Sequence, residues 1–514
     1  PTAILLLSFA GRFPFHWFLK SLGIFRKYAK SHSEFSENEL KVAWNFPKSS
    51  VSFKQGEMIQ VALRRHIDDW LRDWKDYPGH KPALIRGIRQ SGKTYSVKRF
   101  AENNYEVVID LNFWDRPDLC DVFEGQLDID TIIRELSVKI SMPALVEKST
   151  VFLYDEVQEC PKALLSLKSV QHEERFDFIA TGSYLGVNGY VVSDDTPKPV
   201  GCTDEYDMRT LDFEEFLWAK GYGDKEVSYI REAFSSRKAL SKAMHGSFTS
   251  LFREYLCVGG FPEAVNNYIQ TNNIYSTIQI TRRITRDLQD DFGRRCGKDR
   301  KPLFSPNEVA RIRSAFSLIP AFLGKENKRY VVSKITGKGA KDAGKDALDY
   351  LKDTGIILKV HNLNIPATPL SVNSIDNQYK VFTTDIGLLV GMLEDGTTSA
   401  ILSGNLGMGK GMLYEALIAD ALYKRSGRLF YFAKESGLKL DFVINYHGES
   451  TILEVKAVDG NTKSAKTVMS HPDHYGKTSL IRIKDANLSE TDNILTIPHY
   501  MAFLLFDWQP VLPI

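Results

Sequence analysis

The sequence predicts an α/β fold built around a parallel sheet with helices on both faces. Three observations carry that reading. Short runs at Pro82–Arg86, Glu106–Leu111, Thr150–Tyr154, Phe176–Thr181 and Glu205–Leu211 alternate with stretches of helical period, the pattern of strands joined by crossover helices. The first run leads directly into Gly87-Ile88-Arg89-Gln90-Ser91-Gly92-Lys93-Thr94, followed by a helical stretch through Phe100. The third ends in two adjacent acids, Asp155 and Glu156.

The Gly87–Thr94 segment reads as G-x-x-x-x-G-K-T between a strand and a helix, the context in which such a loop wraps phosphate. Glycines let the backbone approach closely and aim N–H groups at phosphate oxygens, and the following helix N-terminus adds a positive dipole. Gly87, Ile88, Arg89, Gln90, Ser91, Gly92, Lys93 and Thr94 are therefore the expected ATP-binding residues, with Lys93 on the β and γ phosphates and the Thr94 hydroxyl on Mg²⁺. A glycine-rich turn capping a surface helix is the competing reading. Paired with this loop, Asp155 is expected to hold the Mg²⁺ shell and Glu156 to polarise the attacking water. Ser183, closing Thr181-Gly182-Ser183 after the fourth run, is the candidate sensor of the γ phosphate, although a plain turn serine looks the same.

At 514 residues the chain exceeds one hydrophobic core and should divide into about three domains. Charged residues at 25% and hydrophobic residues at 43% are ordinary for a soluble protein. Lys and Arg (66) nearly balance Asp and Glu (64), which excludes a global basic field for nucleic acid but not a local patch. The five cysteines, Cys120, Cys160, Cys202, Cys257 and Cys296, never form C-x-x-C; neither a disulfide framework nor a zinc ribbon is indicated, and a cytoplasmic location is expected. The apolar runs Ala3–Leu7 and Phe13–Leu19 are interrupted by Arg12 and fall short of the ~18 residues a bilayer span needs, so no signal peptide, membrane helix or membrane partner is expected. Residues 1–57 lack strong periodicity, and a helical pattern through Ile59, Leu63, Ile67 and Trp70 begins only at Met58. They read either as a loosely ordered extension or as sequence upstream of a true start at Met58, with Lys54-Gln55-Gly56-Glu57 translating a purine-rich ribosome-binding site.

Beyond the loop and the acids, the sequence holds "FIATGSY", "LDFEEFL" at Leu211–Leu217, "YLCVGGFPEAV" at Tyr255–Val265, "IPAFLGKENKRY" at Ile319–Tyr330, "LDYLKDTGIILKV" at Leu348–Val360 and "YKVFTTDIGLL" at Tyr379–Leu389. With these motifs the chain from Met58 onward resembles a family of prokaryotic AAA-type P-loop ATPases that carry a C-terminal DUF4143 region. The resemblance implies an AAA+ core over 58–245, a helical lid over 246–303, a winged-helix-like module over 304–403 and an α/β PD-(D/E)xK nuclease-like domain over 404–514. Two departures stand out: Tyr184 follows Ser183 where the family often has a second serine, and Gly186–Cys202 has no counterpart.

AAA+ proteins commonly use an arginine from the lid or a neighbouring subunit to stabilise transition-state charge. Arg282, Arg283 and above all Arg286 are the candidates, against a solvated basic face paired with Asp287, Asp290 and Asp291. In the middle module, Lys325, Lys328, Arg329, Lys334, Lys338, Lys341 and Lys345 form a basic cluster that suits a DNA backbone, a protein contact or plain solvation.

Near the C-terminus, Leu438–Asn445 and Thr451–Ala457 flank His447-Gly448 and read as a β-hairpin. A turn centred between those two residues sets Asp441 opposite Glu454, and a period of two adds Lys456 to the same face. Two opposed carboxylates repel unless a cation lies between them. Asp441…Glu454-Val455-Lys456 matches the D…(D/E)-x-K constellation of nucleases, with Glu415 on the preceding helix as an extra acid; these acids are the candidate ligands of a second Mg²⁺ and Lys456 the candidate nuclease lysine. Carboxylates pointing apart, or neutralised by a buried Arg or Lys, would end that reading.

The expected function is an ATP-hydrolysing switch or motor, oligomeric or not, that acts on nucleic acid through its C-terminal domain. The rival is an ATP-gated protein-interaction module whose nuclease-like domain is inactive.

Overall fold

The computed structural model describes residues 62–184, 201–292, 304–336, 341–405, 407–425, 427–456 and 462–506. The readings for residues 1–57, most of Gly186–Cys202 and Lys338 lie outside them. β1 (Ala83–Gly87), β2 (Val107–Asn112), β3 (Thr150–Asp155), β4 (Asp177–Ser183) and β5 (Asp204–Asp207) form an all-parallel sheet in the order β2-β3-β4-β1-β5. Alternation along the strands fills both faces. Ala83, Ile85, Val151, Leu153 and Ile179 pack with Trp70 and Trp74 of the helix His66–Asp76, while Leu84, Phe152, Tyr154, Phe178 and Ala180 join Phe113 and Phe123 on the other side. The α/β class is thus the one the strand and helix pattern implies.

Because the five strands run the same way, their C-terminal ends share one edge. The register pairs Gly87 with Ser183 and Asn112 with Asp155, so the phosphate loop, the acids and the candidate sensor converge there by topology alone. Helices Lys242–Val258, Pro262–Thr271 and Ile274–Asp291 follow, so that 246–291 is largely helical. Among the described residues no helix is long and apolar enough to cross a membrane.

β6 (Ile357–Leu363), β7 (Ser374–Thr383), β8 (Phe430–Ala433), β9 (Lys439–Tyr446), β10 (Glu449–Lys456), β11 (Ser479–Lys484), β12 (Ser489–Thr491) and β13 (Ile494–Pro498) form a second, mixed sheet in the order β12-β13-β11-β10-β9-β8-β6-β7. Here the structure departs from the expected modules. Helices Pro306–Ser317, Ser333–Thr336 and Lys341–Asp353 precede the hairpin β6-β7, the order of a winged helix, but the hairpin is no free wing. β6 pairs in parallel with β8, and Asn362 clamps the join through both its amide atoms: Ala433 N–H donates to Oδ1 at 2.9 Å and Nδ2 donates to Ala433 O at 3.1 Å. A boundary at residue 403 therefore runs through one sheet. Nothing in the local pattern of either strand announces a partner some 70 residues away.

Candidate functional site

The phosphate loop leaves β1 at Gly87, where a Cβ would lie 2.1 Å from the carbonyl oxygen of Met208, so no other residue fits without moving the backbone. Gly92, the residue before the helix Lys93–Asn104, has φ +94°, again a glycine conformation. The loop is braced from below: the Ser91 hydroxyl donates to Ile88 O at 2.9 Å, and buried Arg65 donates to Ser91 O at 3.0 Å while pairing with Glu215 at 2.9 Å. Lys93 folds inward, donating to Gly87 O at 3.2 Å and Ile88 O at 3.0 Å.

Asp155, 3% exposed, sits beside Thr94, whose hydroxyl donates to Asp155 Oδ1 at 2.9 Å. Thr181 donates to the same oxygen, and Asn112 Nδ2 donates to Oδ2 at 3.2 Å. Asn112 is aimed by its own Oδ1, which accepts from the N–H groups of Trp114 and Asp115, both at 3.0 Å. Glu156 has φ +51° and accepts from Gln158 Nε2; Gln158 Oε1 in turn accepts from Ser183 N–H at 3.3 Å. Thr94, Asp155, Glu156 and Ser183 are thus brought together around Lys93, and Asn112, Thr181, Gln158 and Arg65 are neighbours the motif reading missed. Thr181 lies inside a quoted motif and Gln158 two residues after Glu156; their side-chain partners carry no sequence signal.

Burial lowers the Lys93 ammonium to about 8, against the opposing pull of Glu156 and Asp155. Phosphate requires the charged form, so ATP binding above that pH takes up a proton. Calorimetric affinity is expected to be about tenfold weaker at pH 9 than at pH 7, with a binding heat that depends on the buffer's ionisation heat.

Within this chain the three candidate arginines have other surroundings than the phosphate loop. Arg282 pairs with Asp395 at 2.5 Å and Arg283 with Glu263. Arg286 is exposed and lines a surface groove with Gln279, Gln289 and Ser317, a lining that includes no phosphate-loop residue. The link from the loop to this helix is Arg89, which pairs with Asp291 at 2.8 Å. Helical spacing placed the three arginines on one stretch of helix but could not say where that helix would dock.

The second candidate site lies on the mixed sheet. His447 (φ +51°) and Gly448 (φ +85°) make the turn, and the register runs from Tyr446–Glu449 to Phe442–Leu453, the alignment that sets Asp441 against Glu454. Asp441 Oδ2 accepts from Val455 N–H at 3.0 Å, and Lys456 Nζ lies 2.6 Å from Glu454 and 3.9 Å from Asp441. Glu415, on the buried helix Lys410–Lys424, completes the cluster, but its Oε1 accepts from Lys328 and its Oε2 is 3.5 Å from Lys380. Lys380 also donates to the Asp441 carbonyl oxygen at 3.2 Å. Burial, then repulsion from Glu415 and Glu454, pushes Asp441 up to about 7, and burial raises Glu454 against the pull of Lys456. The basic cluster is partly dispersed: Lys328 turns inward, Lys325 lies over the Phe322 ring and Lys345 pairs with Asp342. The backbone there carries Lys328 to Glu415, which residue spacing could not show.

A third cluster, His66, Asp212 and Glu214, has ligand-like spacing. Arg425 already pairs with both acids and Arg231 with Glu214, so their charge is met without an ion.

Residues 79–217 match the family described as an AAA domain. This segment is an AAA domain. Residues 410–500 match DUF4143, and residues 249–399 match a further domain of unknown function, DUF8612. The AAA domain holds the whole phosphate loop, Asp155, Glu156 and Ser183, and the DUF4143 region holds Glu415, Asp441, Glu454 and Lys456. No protein of curated function matches the chain significantly. Similar solved structures include a Walker-type ATPase of Pyrococcus abyssi (15% identity, 64% of this chain and 96% of that one, TM-score 0.36). Others are the Aeropyrum pernix ORC2 protein in ADPNP-ADP complexes (11%, 69% and 96%, 0.33) and a STAND signal-transduction ATPase with a tetratricopeptide repeat sensor from Pyrococcus horikoshii (11%, 72% and 50%, 0.23).

Proposed function

We propose that the AAA domain binds and hydrolyses ATP with Mg²⁺, and that the cycle drives a switch in the C-terminal half that acts on nucleic acid. The observation that carries this is the meeting of Thr94 and Asp155, 2.9 Å apart, beside Lys93 and Glu156 on one sheet edge. These two oxygens fit the ion of a nucleotide complex and would hold it where it neutralises charge on the β and γ phosphates. Lys93 swings from the loop carbonyls to the phosphates, Glu156 takes the proton of the attacking water, and Gln158 ties Glu156 to Ser183, so that loss of the γ phosphate is felt at both. A role for Arg286 in the reaction belongs to a neighbouring subunit's site.

In the C-terminal site Asp441, Glu454 and Glu415 Oε2 would hold a second Mg²⁺, and Lys456 would orient water toward a phosphodiester. Glu415 Oε2 is buried and makes no close hydrogen bond, its nearest cation being Lys380 at 3.5 Å, which leaves room for a shorter contact to a metal ion. Lys380 bonds the Asp441 backbone, not its carboxylate, so Lys456 is the cation that pairs directly with the two opposed acids, while the charge of Lys380 acts on both from further off. Against this, Lys328 and Lys380 already face Glu415, which favours the rival reading of an inactive domain gating a protein contact.

ATP turnover and DNA nicking by wild type, Lys93→Ala and Glu454→Ala, with and without DNA, separate the two. Turnover lost in Lys93→Ala alone and nicking lost in Glu454→Ala are expected. Turnover indifferent to DNA, with no nicking by any form, would establish the rival.

A further inference from the structure

Lys328 belongs to the segment Gly324–Arg329, between helices Ile319–Leu323 and Ser333–Thr336. Its neighbours Lys325, Glu326, Asn327 and Arg329 are exposed, yet its own side chain is 15% exposed and ends on Glu415, 87 residues away. A lysine gives up hydration at a cost that the Glu415 carboxylate offsets here. A second anchor holds the segment in place: Lys439 Nζ donates to Glu326 O at 2.6 Å, two residues before Asp441 on β9. The other two lysines of the cluster, Lys380 and Lys456, are fixed on strands β7 and β10, so Lys328 is the one whose position depends on an exposed connection.

The charges decide what this does. Glu415, Asp441 and Glu454 face Lys328, Lys380 and Lys456, three acids against three bases. A divalent ion entering this balanced cluster brings two uncompensated charges and meets one ammonium on Glu415 Oε1 and another 3.5 Å from Oε2. Withdrawal of Lys328 removes one positive charge and frees Oε1.

We infer that Lys328 stands in a cation's place at the C-terminal acid site, so that a divalent ion and the Gly324–Arg329 segment compete for Glu415. The inference rests on the reading of Asp441, Glu454 and Glu415 as metal ligands. Displacing the segment opens the site; its return closes it.

Mn²⁺ titration of the full nucleotide-free chain, followed by electron paramagnetic resonance, tests this in wild type, Lys328→Met, Lys328→Gln, Lys328→Arg and Glu454→Gln. The component lost in Glu454→Gln reports the C-terminal site. In the two neutral variants that component is expected to bind at least about tenfold tighter than in wild type, with Lys328→Arg unchanged. Equal affinity in wild type and both neutral variants would overturn the inference and leave the metal site standing. No component sensitive to Glu454→Gln in any form would overturn the metal reading, and the inference with it.

Discussion

Glu156→Gln is expected to leave nucleotide binding intact while lowering ATP turnover by about 10²–10⁴-fold, the usual worth of a positioned general base. The substitution keeps the side chain's length and its contact with Gln158, so the bridge to Ser183 survives and only the proton acceptor is lost. Single-turnover hydrolysis beside equilibrium binding of a fluorescent ATP analogue reads the two effects separately. Unchanged turnover would remove Glu156 from the chemistry. Lost binding would make it a structural part of the site.

The second large effect concerns a buried charge centre that joins the AAA domain to the C-terminal half. Lys424, 1% exposed at the end of the Glu415 helix, pairs with Asp385 and Asp420, both at 3.0 Å, and donates to Leu211 O at 3.0 Å and the Tyr255 hydroxyl at 2.9 Å. Asp385 also accepts from Gly260 N–H at 2.9 Å and Thr210 at 2.6 Å. Gly260 is required because a Cβ there would lie 2.1 Å from Leu211 O. Lys424→Met leaves two buried carboxylates without their cation, a loss of about 3–5 kcal/mol. Chemical denaturation should show the drop. A variant as stable as wild type would mean that the surrounding donors suffice. The neighbouring Arg425 pairs with Asp212 and Glu214 beside Glu215, which holds the Arg65 that braces Ser91. Through these contacts one helix reaches from the phosphate loop to Glu415.

The division between what was legible and what was not follows sequence distance. The phosphate loop could be read because its residues are contiguous, and the β-hairpin register because His447-Gly448 admits one centring of the turn. Asp155 and Ser183 needed only the rule that parallel strands end on a common edge. Gly260 and Asp385 lie in two separate motifs and Lys424 in neither, and each looks ordinary alone: a turn glycine, a helix cap, a helix-terminal lysine. Their partnership is tertiary. The same holds for β6 beside β8 and for Lys328, whose lysine-rich surroundings suited a DNA backbone, a protein contact or solvent and whose actual partner is Glu415. Tyr184, which breaks the expected serine pattern, has a packing reason: a Cβ on Gly355 would come within 2.5 Å of its ring.

The central claim is that Mg²⁺ and ATP meet at Thr94 and Asp155. Anomalous diffraction from crystals grown with a non-hydrolysable ATP analogue and Mn²⁺ tests it most directly. The expected result is triphosphate wrapped by Gly87–Thr94 with one Mn²⁺ peak between the Thr94 hydroxyl and the Asp155 carboxylate. Nucleotide bound elsewhere, or bound in the loop with no ion at that point, would contradict it.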